Sequence, residues 1–382
     1  MHPIAVLALL ISLASSIAAQ AFDTRATAAL VVDYDTGTVL LEKNADISLP
    51  PASMSKLMTL NMLFEALQEG RLRLDSKFRV STKAWQMGGS KMFVKEGDSI
   101  AIEDLIRGII IQSGNDACVV VAEGLAGSEA EFANRMTKRA RKLGMENSIF
   151  ANSTGWPHPD HRMTARDLVT LATRLVRDFP EYYTYFAEES FEWADIVQAN
   201  RNPLLVMDIG ADGLKTGHTE EAGYGLVGSA TQDGRRVVFI VTGLTTTSER
   251  AQEAERLVSW AFREFSRETL FEKDQIISVA DVWLGATDQI GLVPSSDLSI
   301  LVPYSARDEI NATVEYTGPI EAPISAGDPI ASLNITIPGL SDQNYPLVAA
   351  DSVERGGFMK RMVASAQILS QKLMETATSN AQ

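Results

Sequence analysis

Apolar positions along this chain recur with two periods, two residues and three to four, and their alternation maps its elements. Residues 28–33 and 39–42 are short apolar runs joined by Tyr34-Asp35-Thr36-Gly37, which predicts a β-hairpin. After Pro50-Pro51 the apolar residues Met54, Leu57, Met58, Leu60, Met62, Leu63, Phe64 and Leu67 surround nearly the whole circumference of a helix that stops at Gly70. A helix with so little polar face is a buried one. Residues 71–98 are polar, carry Gly88-Gly89-Ser90 and predict an irregular lobe. Helical spacing returns from Ala101 and runs to Gln112-Ser113-Gly114-Asn115. It is followed by an apolar helix over 117–125 and one with a basic face over 129–143. Another helix is expected over 164–177, stopping before Pro180. Lys215-Thr216-Gly217 then leads to a strand over 224–230, and the turn Gln232-Asp233-Gly234 connects it to a strand over 236–244. A helix over 250–265 closes this region.

Strands at both ends with helices between them predict an α+β domain, an antiparallel sheet with helical layers, spanning residues 22–271. From Ile276 to Val348 no lysine occurs and short β-rich runs alternate with Pro/Gly turns, so 272–350 is expected to be a small all-β domain. In the tail, 351–382, Phe358, Met359, Met362, Val363, Ala366, Leu369 and Leu373 recur at helical spacing beside Lys360, Arg361 and Lys372. That pattern predicts an amphipathic helix able to lie in an anionic membrane surface, with docking on the β domain as the alternative. At the other end, residues 4–17 are apolar and uncharged and precede Ala19-Gln20-Ala21, so 1–21 reads as a signal peptide and the chain as exported.

Composition narrows the function. The chain has 382 residues, 45% hydrophobic and 22% charged, which suits folded domains. A net charge of −15 argues against nucleic acid as a partner. A single cysteine, Cys118, excludes an internal disulfide and a cysteine-rich zinc site. His158 and His161 have too few neighbouring ligands to suggest a metal, and no cofactor motif occurs.

The candidate chemistry lies at the start of the buried helix. Ser53 and Lys56 are one turn apart and share a face. Desolvation lowers the pKa of a buried lysine, and a neutral amine beside a hydroxyl can make it a nucleophile. Ser113 and Asn115 follow in Ser-Gly-Asn, and Lys215, Thr216 and Gly217 in Lys-Thr-Gly. In this order the three elements resemble the motif set of penicillin-binding proteins and class A β-lactamases. Ser53 would attack a carbonyl, Lys56 take its proton, with Lys215 helping by repulsion, and Ser113 relay a proton to the leaving amine. Asn115 would orient Lys56 and the substrate amide. Lys215, Thr216 and Thr219 would hold a carboxylate, and the backbone N–H groups of Ser53 and His218 would form an oxyanion hole. Gly217 would let a ligand approach the strand.

The longer matches, Pro51-Ala-Ser53-Met-Ser-Lys56-Leu-Met-Thr59, Ser113-Gly-Asn-Asp-Ala-Cys118 and Asp212-Gly-Leu-Lys215-Thr-Gly-His-Thr219, resemble serine D-alanyl-D-alanine carboxypeptidases, the type-5 low-molecular-weight penicillin-binding proteins. Asn200-Arg201-Asn202, Ala222-Gly-Tyr224 and Arg250 extend the likeness. The resemblance implies a transpeptidase-like domain, a β-rich domain and a membrane-anchoring helix. It also implies a periplasmic location, peptidoglycan pentapeptide as substrate and covalent inhibition by β-lactams. Arg201 and Arg250 would orient the Lys215 strand and the substrate's terminal carboxylate. Thr154-Gly155 stands where the best-known members have a histidine before a glycine, which removes pH-dependent support from that loop. Three alternatives share or imitate the site: a D,D-endopeptidase acting on cross-links, a β-lactamase, and a non-catalytic wall-binding module. The second lacks its loop signature, since between Asn115 and Lys215 no glutamate is followed four residues later by asparagine.

Overall fold

In the computed structural model, residues 22–358 are described. The expected leader and the expected tail helix, from residue 359 on, lie outside the described residues. The hairpin forms as β1 (Ala28–Asp33) and β2 (Val39–Lys43), and the buried helix as α1 (Lys56–Gln68). Ser53 is not in that helix. It sits in a 3-10 turn, Ala52–Ser55, that leads into it, with Ala52 at φ 49°.

The stretch expected to be irregular carries short elements: β3 (Lys77–Arg79) pairs with β4 (Ser99–Ala101), and α2 (Thr82–Gln86) lies between them. Next come α3 (Ile102–Ile110), α4 (Asn115–Ala126), α5 (Glu129–Lys142), α6 (Ala165–Asp178) and the single turn α7 (Pro180–Tyr183). The side chains of Ser128 and Thr164 cap α5 and α6, accepting from the backbone N–H three residues on. A hairpin without a sequence signal, β5 (Ser190–Trp193) and β6 (Ile196–Ala199), precedes β7 (Ala211–Thr219), β8 (Gly223–Gln232) and β9 (Arg235–Leu244). Helix α8 (Thr247–Arg263) starts three residues before the expected boundary because Thr246 caps it.

The sheet order is β2-β1-β9-β8-β7, antiparallel throughout, which places the Lys-Thr-Gly strand at an edge. Alternation sorts the side chains between its two faces. Ala28, Leu30, Val227, Val238 and Ile240 join the core built on α1, α3, α4 and α6. Ala29, Val31, Leu226, Phe239 and Val241 join the core under α8. The α+β expectation holds.

The second unit is all β. β10 (Phe265–Phe271) pairs with β13 (Leu298–Pro303). The strands β11 (Ser278–Trp283), β12 (Gln289–Pro294), β14 (Asn311–Glu315), β15 (Ile320–Glu321), β16 (Pro329–Thr336) and β17 (Gln343–Ala349) form a six-stranded sheet, ordered β14-β16-β17-β12-β11-β15. Strand β13 faces both ways: Leu301 packs into the α8 core, while Leu298, Ile300 and Val302 pack into the core of the β unit.

Candidate active site

The turn Ala52–Ser55 packs against β7, and the fit depends on two glycines. A Cβ on Gly217 would lie 3.0 Å from both Met54 Cγ and the Pro51 carbonyl oxygen. Gly217 thus serves the contact between strand and turn. Gly155, at φ 78°, is still more confined, since a Cβ there would sit 1.9 Å from the Ala52 carbonyl oxygen. That opposition fixes the Thr154 loop over the serine turn.

Lys56 is fully buried, and its Nζ lies 2.7 Å from Ser53 Oγ and 2.6 Å from the Thr154 carbonyl oxygen, to which it donates. The loop is itself held. Asn152 Oδ1 accepts from the backbone N–H groups of Thr154, Gly155 and Trp156. Glu129 accepts from the N–H and hydroxyl of Ser153, and Thr59 donates to the Ser153 carbonyl. The loop therefore supports Lys56 through the Thr154 backbone carbonyl, which does not titrate. No side-chain pattern marks a carbonyl, so nothing in the residue types announces it.

Burial pushes the Lys56 ammonium down to about 8, with Arg201 adding to the depression and Cys118 and Asp116 opposing it. Lys215, also buried, is held well below the usual ammonium range, by burial first and then by the charges of Lys56 and Arg201. Repulsion between the two ammonium groups is mutual. Burial is the largest cause of the depression at Lys56.

Ser53, Asn115, Thr154, His218 and Thr219 line one cleft of about 460 Å³, with Gly89, Ser90, Trp156 and Pro157 along its walls and Glu220 and Glu221 at its rim. Asn115 makes no hydrogen bond to Lys56; its amide donates to the Gly88 carbonyl at 2.9 Å. Ser113, at φ 59°, is buried with its hydroxyl unpartnered. Thr216 is buried in β7, and Thr219 Oγ1 accepts from the Ala222 N–H. The His218 ring stacks on Tyr224 at 3.9 Å, and the Arg250 guanidinium lies over the same tyrosine at 6.0 Å. Arg201 donates to Ser90 Oγ at 2.7 Å, and its carbonyl accepts from Arg250. His161 is buried against Phe150 while His158 is exposed, so the two do not form a pair of ligands. A second cavity, about 350 Å³, opens between β1, β2 and α6, but its arginines 166, 174 and 177 are already paired with carboxylates.

A serine bonded to a buried, depressed lysine, at the edge of an antiparallel sheet that carries further cations, defines a serine-type hydrolase working through acyl transfer. The family described as D-alanyl-D-alanine carboxypeptidase matches residues 15–246, and that described as penicillin-binding protein 5, C-terminal domain, matches residues 265–355. The D-alanyl-D-alanine carboxypeptidase DacC of Escherichia coli (strain K12) is 36% identical over 355 residues, covering 91% of this chain and 88% of DacC. Penicillin-binding protein 5 from Haemophilus influenzae superposes with a TM-score of 0.78 at 31% identity, over 87% of this chain and 98% of its own. Penicillin-binding protein D2 from Listeria monocytogenes, in an ampicillin-bound form, gives 0.58 at 30% identity over 63% of this chain and 99% of its own. The chain belongs to the D-alanyl-D-alanine carboxypeptidase family, and it is a serine-type D,D-carboxypeptidase.

Proposed function

We propose that the chain removes the terminal D-alanine from peptidoglycan pentapeptide stems through an ester on Ser53. The observation that carries this reading is the 2.7 Å contact between Ser53 Oγ and the buried Lys56 Nζ. With Lys56 neutral the bond reverses, and the hydroxyl donates to the amine. Ser53 Oγ then bonds to the penultimate D-alanine carbonyl carbon as its proton passes to Lys56. The C–N bond to the last D-alanine breaks, and the proton reaches the leaving amine through Ser113. Water, activated by the same amine, hydrolyses the ester.

Lys215, Thr216 and Thr219, with Arg201 and Arg250 behind them, receive the substrate carboxylate, and the backbone N–H groups of Ser53 and His218 receive the oxyanion. A bound carboxylate favours the protonated form of Lys215, and that charge disfavours a proton on Lys56. Substrate thereby activates its own nucleophile. Asn115 orients the substrate amide from the Gly88 wall. A β-lactam enters the same reaction and leaves a ring-opened ester on Ser53, in keeping with the ampicillin-bound relative. The protein is read as exported to the periplasm and attached by its tail to the outer face of the cytoplasmic membrane. No helix among the described residues is long and apolar enough to cross a membrane.

Incubation with a labelled penicillin followed by mass spectrometry should place one adduct on Ser53, and a pentapeptide substrate should release D-alanine. Ser53→Ala should lose both. Release of D-alanine by that variant would refute the assignment.

A further inference from the structure

Asp116 follows the Ser-Gly-Asn turn and has no part in the chemistry above. Its carboxylate is buried, with 1% of the residue exposed, and it accepts four backbone hydrogen bonds. Oδ1 takes the N–H of Met92 at 2.8 Å and of Ala117 at 3.0 Å. Oδ2 takes the N–H of Phe93 at 2.8 Å and of Val94 at 3.2 Å. Three of these four donors belong to residues 92–94, which follow the cleft-wall residues Gly89 and Ser90 in the chain and anchor that wall in the core through Met92 and Val94. The same turn grips that wall higher up, where the Asn115 N–H donates to the Ser90 carbonyl at 2.8 Å and its side chain to the Gly88 carbonyl.

Phe93 is held at φ 70° with its ring exposed, a conformation costly for an aromatic residue unless its surroundings enforce it. A buried carboxylate with converging N–H donors is such an enforcement, because charge-assisted bonds are about twice as strong as neutral ones.

We propose that Asp116 is a positioning residue for the carboxypeptidase reaction, holding segment 88–94 against the catalytic turn and thereby setting the width of the substrate cleft. This rests on the reading of the cleft given above. The wall it positions also bears on Arg201, which reaches it through Ser90 Oγ. Asp116 has an electrostatic part as well. Lys56 is faced by Asp116 and Cys118 from α4, by Arg201, by Lys215 from β7 and by His161, and Asp116 favours its protonated form.

The test uses the full chain, a labelled penicillin and an N-acylated peptide ending in D-alanyl-D-alanine. Asp116→Asn and Asp116→Glu separate charge from position. In Asp116→Asn, KM should rise about tenfold with a smaller fall in kcat, since uniform binding is what a displaced wall loses. Its acid limb of kcat/KM should also move to lower pH, because an anion near Lys56 is gone. Asp116→Glu should keep the acid limb but raise KM. Hydrogen exchange on the unmutated protein should find the amides of Met92, Phe93 and Val94 slow despite their place in a loop. Should Asp116→Asn not accumulate in folded form, that exchange pattern and the Glu variant decide. The proposal falls if those amides exchange at open-loop rates, or if the variants lose kcat and thermal stability together while KM and the acid limb stay put. A missing penicillin adduct on unmutated Ser53 would instead overturn the active-site reading and leave the exchange result standing.

Discussion

The two units of the described chain bury different chemistry. Between residues 24 and 253 the interior holds Lys56, Lys215, Asp116, Glu129, Asp33 and Arg235 among its polar side chains. From residue 265 to 358 every buried residue is apolar, and the core of Ala280, Leu292, Ile300, Leu333, Ile335 and Leu347 is typical of it. A charge taken out of water costs several kcal/mol unless it is paired or neutralised. Asp33 meets that cost with Arg235 at 2.8 Å, and Glu129 with Lys83 and Ser153. Lys56 and Lys215 have no carboxylate partner, and burial holds both ammonium groups below their ordinary range, Lys56 at about 8. The difference teaches where to look for chemistry: the unit that tolerates unpaired buried cations uses them, and the other is built for packing.

Removing the buried cation breaks this contrast most strongly. Lys56→Met should lower kcat/KM by about three orders of magnitude or more, the scale of a lost general base acting on a nucleophile. The same change should stabilise the fold near pH 7 by about 1–2 kcal/mol, less than the ~3 kcal/mol implied by the pKa depression because two hydrogen bonds are lost with it. The sign follows from linkage. The folded pKa of Lys56 is about 8 against an ordinary 10.5, so between those values the unfolded chain binds more protons and stability rises with pH. The penalty is full below pH 8 and gone above 10.5, and the advantage of the methionine variant in urea unfolding should shrink over that window. A variant less stable at pH 7 than at pH 10 relative to the parent would refute it.

The apolar unit should answer in the opposite way. Ile335→Ala removes a fully buried side chain from β16 and should destabilise that unit by about 2–4 kcal/mol in thermal or urea unfolding. Penicillin acylation and kcat/KM at 25 °C should stay within twofold of the parent. A tenfold loss of activity in folded protein would show that the β unit shapes the cleft.

Much of this was legible in the sequence because the three motifs sit on elements with strong periodic signals. The all-round apolar pattern from Met54 to Leu67 announced a buried helix and hence a desolvated lysine. The Gln232-Asp233-Gly234 turn announced the β8–β9 hairpin. Other parts left no trace in the pattern. Residues 77–86 form short elements held by tertiary contact rather than by propensity. Ser53 stands in a tight turn because Ala52 adopts φ 49°, which nothing in Pro50-Pro51-Ala52 declares. The Thr154 carbonyl and the Gly88 carbonyl are backbone acceptors that any residue type could provide. The packing at Gly217 left no trace either, because the atoms it avoids, in Met54 and Pro51, lie more than 160 residues away in the chain.

The activity itself should carry the mark of the depressed lysine. With a carboxypeptidase substrate, kcat/KM should fall about tenfold per pH unit below a midpoint near 8, since only the neutral amine can take the serine proton. A flat profile from pH 6 to 9 would mean that Lys56 is already neutral or is not the base.

The smallest effect is expected where the two units meet. Gln343 Nε2 donates to Thr38 Oγ1 across the boundary at 3.4 Å, a long and partly exposed bond. Leu301 and Leu340 span the same boundary by packing, Leu301 within the α8 core and Leu340 against both cores. Hydrogen bonds of that length contribute little, whereas a leucine lodged in a neighbouring core carries its full burial. Gln343→Ala should therefore shift the unfolding midpoint by no more than about 0.5 kcal/mol and leave kcat/KM unchanged. Leu301→Ala should cost several times as much in the same unfolding assay. If the glutamine proved the costlier of the two, the boundary would be held by polar contact after all, and the β unit would share the character of the catalytic one.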